Sequence, residues 1–434
     1  MKMLSAYIMP HAPIARPAVG RGEEKKIQKT LDSYRSVSSK IAQEKPETII
    51  IISPHNIMYR DAFYISPGDV YTDSLVMFGF PQERVSHPYD MELIDEILHL
   101  CQEEDLPVSQ DPLYEKEPDH GTCVPLLFID EQYKDYQVVR LSPSFLPNED
   151  LLKMGRVLER AIAHTGRKAS ILASGDLSHK LTVDGPYGFA KEGPEFDQMI
   201  TQQMKDADFG KFLEYDERFL DKAAECGLPG FIILSGALEN DKVIPHFHSY
   251  EGPFGVGYAI CDYDVEDYCP RLAQMSLEAY VKDRRKIKVP DDLPVWMTKE
   301  RAGVFVSLHK NGELRGCIGT ISACTENVAN EIIALAIEAG TRDPRFMPVS
   351  EKELADLEYS VDVLSQAEPA AMKDLDAKRY GVIVTSGHKR GLLLPNLEGV
   401  DTPAEQIFIS LQKAGIREGE PYQIERFTVE RHCR

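Results

Sequence analysis

Four short apolar runs in the first half of this 434-residue chain alternate with helical patterns, and three of them lead within a few residues to a histidine. The runs at 4–9, 48–52, 137–141 and 169–173 have the length and branched composition of strands. Segments 23–43, 89–102, 148–164 and 194–205 carry apolar residues at helical spacing. Strand and helix in alternation predict an α/β layered fold around a mainly parallel sheet. Segments 242–250 and 255–263, separated by Glu251–Gly252–Pro253, read as a closing strand pair.

The histidines follow this pattern. His11 comes after the first run in MPHAP, His55 after the second in IIIISPHN, and His179 after a later one in ILASGDLSH. Ligands of open α/β sheets bind outside the carboxyl ends of the strands, so three strands deliver imidazoles to one rim. A single histidine is usually a surface or capping residue, but three at comparable strand ends predict a shared site. His99 and His164 fall on predicted helices and read as structural or solvated; His246 and His248 alternate on a strand and lack the strand-end placement, although one of them could approach the site. Imidazole suits iron, copper, zinc and nickel. Two histidines and a carboxylate on one face leave room for a bidentate substrate and dioxygen on Fe(II). Glu225, in AAECGLPG, closes a helical pattern before a turn and is the expected carboxylate; the neighbouring Cys226 is the alternative as a thiolate.

The junction is placed at 262–270, DYDVEDYCP, an acidic stretch ending in proline, which gives domains of 1–262 and 268–434. Nine of the twelve histidines lie before residue 250. Beyond the junction, 271–284 reads as an amphipathic helix, and 303–308 and 314–318 flank an Asn-Gly turn, a hairpin signal. A helix at 327–339 and strands at 357–364, 381–385 and 391–394 complete a smaller α+β domain. Here LRGCIGT at 314–320 and TRDPRF at 341–346 hold Arg315, Cys317, Arg342, Asp343 and Arg345. They read either as a buried strand thiol beside a salt-bridged loop or as an anion pocket built by the arginines.

Five short motifs in order make a resemblance specific. PHAP at 10–13, SPH at 53–55, DHGTCVPL at 119–126, SGDLSH at 174–179 and ECGLPG at 225–230 resemble class III extradiol ring-cleavage dioxygenases of the LigB type, and the related Memo proteins. The resemblance implies His11, His55 and Glu225 as metal ligands, His179 as an acid/base histidine and His120 as a second active-site histidine. In a Memo-like site Asp176 orients an imidazole or binds metal, and a cysteine stands near the third-ligand position. Fe(II) is the implied metal, with Zn, Cu or Mn as alternatives, and a catechol-like molecule the implied substrate. LRGCIGT, TRDPRF and RGLLLPN at 390–396 resemble the AMMECR-type domain, an α+β fold without a settled activity. Fusion of the two parts resembles proteins of the AmmeMemoRadiSam system, which implies a radical-SAM partner.

Composition limits the rest. Lys and Arg number 49 against 70 Asp and Glu, a net charge of −21 that opposes a nucleic-acid or anionic-membrane partner. No run approaches 18 apolar residues, and the eight cysteines form no C-x-x-C pair, so a reducing, cytoplasmic setting is expected. There is no phosphate-binding loop, nucleophile elbow or H-E-x-x-H helix. Two functions remain open: a non-haem metal-dependent oxidoreductase, and a non-catalytic metal- or redox-binding regulatory or assembly protein of the Memo type. A homo-oligomer is open as well.

Overall fold

A computed structural model describes residues 3–114, 117–291, 293–397, 399–417 and 419–433, divided into two compact units, Met1–Glu266 and Asp267–Arg434. The first is α/β. Its sheet is parallel at the centre, in the order Gln137–Ser142, Thr48–Ile52, Ala169–Ser174, Ser5–Met9. Every residue of the three inner strands is buried, as expected where helices cover both faces. The strand Tyr258–Glu266 pairs antiparallel with Ser5–Met9, and Lys242–Glu251 closes that edge. The register sets the rim: Met9 lies opposite Ser174, and Ile52 opposite Ala173. The residues that follow these three strands therefore leave the sheet side by side.

Two helices have almost no polar face. His120–Ile129 and Leu228–Ala237 are buried nearly throughout, and periodicity cannot reveal such segments. Asp119 starts the former by accepting from the Thr122 amide at 3.2 Å, so His120 opens a helix, whereas DHGTCVPL ahead of an apolar run reads from sequence as a loop. A hairpin, Val70–Leu75 with Phe80–Pro88, was also not foreseen. The predicted helix from residue 23 begins as a 3-10 turn, Glu23–Ile27, and becomes α-helical over Gln28–Glu44.

The units divide within the 262–270 junction, which is ordered structure. Residues up to Glu266 continue a strand, Asp267 accepts from the Cys269 amide at 3.0 Å, and Tyr268–Asp283 is a helix. Acidic residues ending in proline here mark a helix start, because Asp caps and Pro is tolerated in the first turn. The second unit holds two four-stranded antiparallel sheets. One, ordered Glu313–Gly319, Val304–Lys310, Leu357–Leu364, Val429–Cys433, packs under the helices Tyr268–Asp283 and Val328–Thr341. The other carries Pro403–Ala414 on the strands Gly381–Ser386 and Lys389–Leu393. The Asn-Gly turn has positive φ at both Asn311 (52°) and Gly312 (79°), the pair of angles that a right-twisted two-residue hairpin requires.

Candidate metal centre

His11 is 1% exposed and fixed at both ends. Its backbone N–H donates to Asp176 Oδ1 at 2.9 Å, and its Nδ1 lies 2.9 Å from Ser174 Oγ. The Ser174 hydroxyl proton is already given to Gly121 O at 2.5 Å, so Nδ1–H of His11 is the donor to Oγ. That tautomer leaves Nε2 as a bare lone pair. Nε2 faces His55 Nε2 at 2.9 Å and Cys226 Sγ at 3.5 Å. His11 is buried, Cys226 half-buried and His55 exposed, so the three donors form a group reached from solvent at one end.

Two further imidazoles surround it. His120 stacks on His55 with ring centroids 4.1 Å apart and meets His11 edge-on at 5.4 Å. His179 donates Nδ1–H to Ala224 O at 2.6 Å, which leaves its Nε2 as an acceptor. Aromatic edges close in from the sides: Phe78 stands 5.5 Å from His120 and Tyr187 stands 5.1 Å from His179, centroid to centroid.

Burial is the first reason that all four imidazoles lose basicity. His11 falls well below the usual range through burial, then through His55, His120 and His179. Burial lowers His55, with Asp119 opposing. His120 falls to about 4 through burial and then His55. Burial lowers His179, against hydrogen bonds to the Ala224 and Leu177 backbone. Neutral imidazoles are the form that binds metal. Burial also pushes the carboxyls of Asp176 and Glu225 up to about 7 and the Cys226 thiol well up.

Glu225 does not join the imidazoles. Its Oε2 accepts from the Leu228 amide at 2.7 Å, at the start of a helix whose first amides have no internal partner. The Sγ of Cys226, the alternative, lies within 4.8 Å of the donor nitrogens of His11 and His55. The turn is held against the SGDLSH loop: Ser178 Oγ donates to Ala223 O at 2.7 Å, and Cys226 Sγ lies 3.6 Å from Asp176 O. Gly175 has no room for a side chain, since a Cβ there would stand 2.3 Å from the Gly227 Cα. Asp176 Oδ2 lies 3.8 Å from His11 Nε2, one step outside the closest donors.

Several supporting residues were not singled out from the sequence. Asp119, wholly buried, accepts from Ser53 Oγ at 2.7 Å and Thr122 Oγ1 at 2.7 Å, and lies 3.6 Å from Arg140 Nε. It thus ties the loop before His55 to the helix that carries His120. An arginine within QVVRLS was the available signal, because a charge inside an apolar strand needs a buried partner. Ser174, which sets the His11 tautomer, has no signal beyond its place in SGD. His246 and His248 pair instead with Asp264 and Asp262, beside Lys40. His99 and His164 pair with Glu103 and Glu96.

In the second unit the candidate arginines end on carboxylates. Arg315 meets Glu353 at 3.1 Å, Arg342 meets Glu338 at 2.8 Å and Arg345 meets Asp343 at 2.7 Å. Asp343 also accepts from the Cys317 amide at 2.9 Å, and Ser307 Oγ donates to Cys317 Sγ at 3.2 Å. The salt-bridged reading describes this loop better than an anion pocket. A groove of about 660 Å³ is lined by Thr385, Arg390, Tyr422 and Glu425 among others, and by none of these residues.

Fold and site together define a two-unit protein: an α/β unit with a His-rich, metal-competent rim, and an α+β unit. Residues 5–261 match the family described as the catalytic LigB subunit of aromatic ring-opening dioxygenase, and residues 270–432 match AMMECR1. The chain belongs to the LigB family and carries a C-terminal AMMECR1 domain. "Protein CA_C1420" of Clostridium acetobutylicum is 40% identical, over all of this chain and 99% of its own. A Thermotoga maritima protein is 51% identical over 36% of this chain and 91% of its own. Among solved structures, the uncharacterized PH0010 from Pyrococcus horikoshii is 31% identical over 38% of this chain and 88% of its own, with a TM-score of 0.35. Among the described residues no helix is long and apolar enough to cross a membrane.

Proposed function

We propose that the first unit is a metal-dependent oxidoreductase whose ion is held by His11, His55 and Cys226. The observation that carries this reading is the convergence of a bare imidazole nitrogen, a second imidazole and a thiol: Nε2 to Nε2 at 2.9 Å and Nε2 to Sγ at 3.5 Å. The donor set fits a transition ion, since imidazole with thiolate suits iron, copper and zinc over magnesium or calcium. Fe(II) is the ion we favour, with Zn, Cu or Mn as alternatives. Such an ion, when bound, would acidify a chelating hydroxyl and carry redox chemistry.

The chain's own groups would do the rest. His179, with Nδ1–H committed to Ala224 O, takes a proton at Nε2 from a substrate hydroxyl and returns it later. His120 stacks on His55 and offers a second imidazole to the substrate. Phe78 and Tyr187 supply aromatic edges that suit a planar, catechol-like molecule. The test is turnover of a catechol in air with added Fe(II). His179→Ala should keep its iron and lose about 10²–10⁴-fold in the chemical step. Loss of iron in that variant would make His179 a ligand and count against this assignment.

The thiol favours one second reading. With Cys226 where a carboxylate was expected, a metal- or redox-binding regulatory or assembly role of the Memo type also fits, with a radical-SAM protein as partner. Absence of turnover in a fully metallated protein supports it. None of the seven cysteines whose side chains are described forms a disulfide, which supports a cytoplasmic location.

A further inference from the structure

The second unit contains another group of ligand-type side chains, far more enclosed than the first. Asp267, Cys269 and His432 place a carboxylate oxygen, a thiol sulfur and a ring nitrogen all within 4.8 Å of one another. Their exposures are 6%, 0% and 4%. They come from opposite ends of the unit. Asp267 caps the helix Tyr268–Asp283, Cys269 lies in its first turn, and His432 is near the end of the last strand, Val429–Cys433.

We propose that Asp267, Cys269 and His432 form a second metal site, for a thiophilic divalent ion of the Zn(II) class, that fastens the two ends of this unit together. Mixed S, N and O donors are the set that zinc accepts. The contacts fit. His432 Nδ1 lies 3.1 Å from Asp267 Oδ2. Two such donors on one zinc, each about 2.0–2.2 Å away at a tetrahedral angle, stand about 3.4 Å apart. An ion can therefore replace the proton between them with a small outward shift. Asp267 Oδ1 stays on the Cys269 amide at 3.0 Å, which holds the carboxylate while Oδ2 binds.

A second observation points the same way. His432 Nε2 is buried and makes no hydrogen bond, with Glu430 Oε1 at 3.5 Å. A ligating histidine commonly gives its other N–H to a carboxylate, and a small turn of Glu430 would make that bond. Three protein donors leave a fourth place for water. The ordinary alternative is a buried His–Asp ion pair that needs no ion.

The reporter is built in. Trp296, the chain's single tryptophan, stacks on His432 with centroids 6.1 Å apart and planes 18° from parallel. The full-length chain carrying His11→Ala, His55→Ala and Cys226→Ser removes the donors of the first site. It is unfolded and refolded anaerobically with Co(II), a zinc substitute. The expected result is one tightly held equivalent of Co(II), a thiolate-to-cobalt absorption band in the near ultraviolet, and quenched Trp296 fluorescence. Adding Cys269→Ser should abolish the band and most of the quenching; circular dichroism checks that this variant is folded. Zn(II) should raise the melting temperature of the Cys269 parent. No bound Co(II) in the parent overturns the proposal, whatever the variant does. A band and quenching that survive Cys269→Ser overturn it equally.

Discussion

In the first unit four imidazoles face one another, and carbonyl or hydroxyl oxygens occupy the outer nitrogens of His11 and His179. In the second, Arg315, Arg342 and Arg345 each end on a carboxylate. Both sets looked functional by residue type. The difference lies in what neutralises them. The imidazoles lose their charge to burial and to each other, and lone pairs are left over. The arginines keep their charge and spend it on architecture. Groups whose bonding capacity exceeds their neighbours mark a site; groups whose capacity is matched mark a scaffold.

Breaking a buried pair in the first unit should have the largest effect. Arg140→Met leaves Asp119 enclosed and short of its cation, and should cost about 3–5 kcal/mol. Urea unfolding monitored by circular dichroism measures it, and metal content should fall as the Asp119 hydrogen bonds to Ser53 and Thr122 shift. Gly175→Ala comes next. Its methyl would meet the Gly227 backbone, so the SGDLSH loop and the Cys226 turn must separate, at about 1–3 kcal/mol. Here we expect metal retention to suffer more than the melting temperature.

The second unit should respond less. Arg345→Met removes a partner that is 54% exposed, and Asp343 keeps its backbone bonds from Cys317 and Arg345, so the cost should be about 1 kcal/mol or less. The smallest effect is a pH slope. Glu353 accepts from the Ser350 amide and pairs with Arg315, which holds its carboxyl down at about 2. A depressed carboxyl contributes stability above its unfolded pKa, and that contribution is lost as pH falls through the folded value. The second unit should therefore weaken between about pH 4.5 and pH 2, and Glu353→Gln should flatten that limb. A steep Arg345 effect, or no acid slope from Glu353, would undo the contrast between the units.

The sequence made the sheet legible because its strands are short, apolar and spaced by amphipathic helices. It made His11, His55, His120 and His179 legible because each lies in a short motif, three of them after strands. The helices His120–Ile129 and Leu228–Ala237, buried nearly throughout, leave no periodic trace, so the helix that His120 opens is not legible in the sequence. Glu225 and Cys226 are adjacent, and the sequence does not tell that the Glu225 carboxylate goes to the Leu228 amide while the Cys226 sulfur faces His11. The two units divide inside the 262–270 stretch, where acidic residues and a proline mark the end of a strand and the start of a helix. The Asp267, Cys269 and His432 group spans 165 positions from Asp267 to His432, a separation that no local pattern encodes.

The central claim is that Cys226, and not Glu225, completes the metal set with His11 and His55. Cys226→Ser removes the sulfur donor, whereas Glu225→Gln keeps a side-chain oxygen for the Leu228 amide and so preserves the helix start. Wild type and both variants, loaded anaerobically with Fe(II), desalted and assayed for iron by mass spectrometry, give the direct comparison. The account predicts that Glu225→Gln retains iron near the wild-type level and that Cys226→Ser loses most of it. Retention by Cys226→Ser with loss from Glu225→Gln would contradict it and return the carboxylate to the metal.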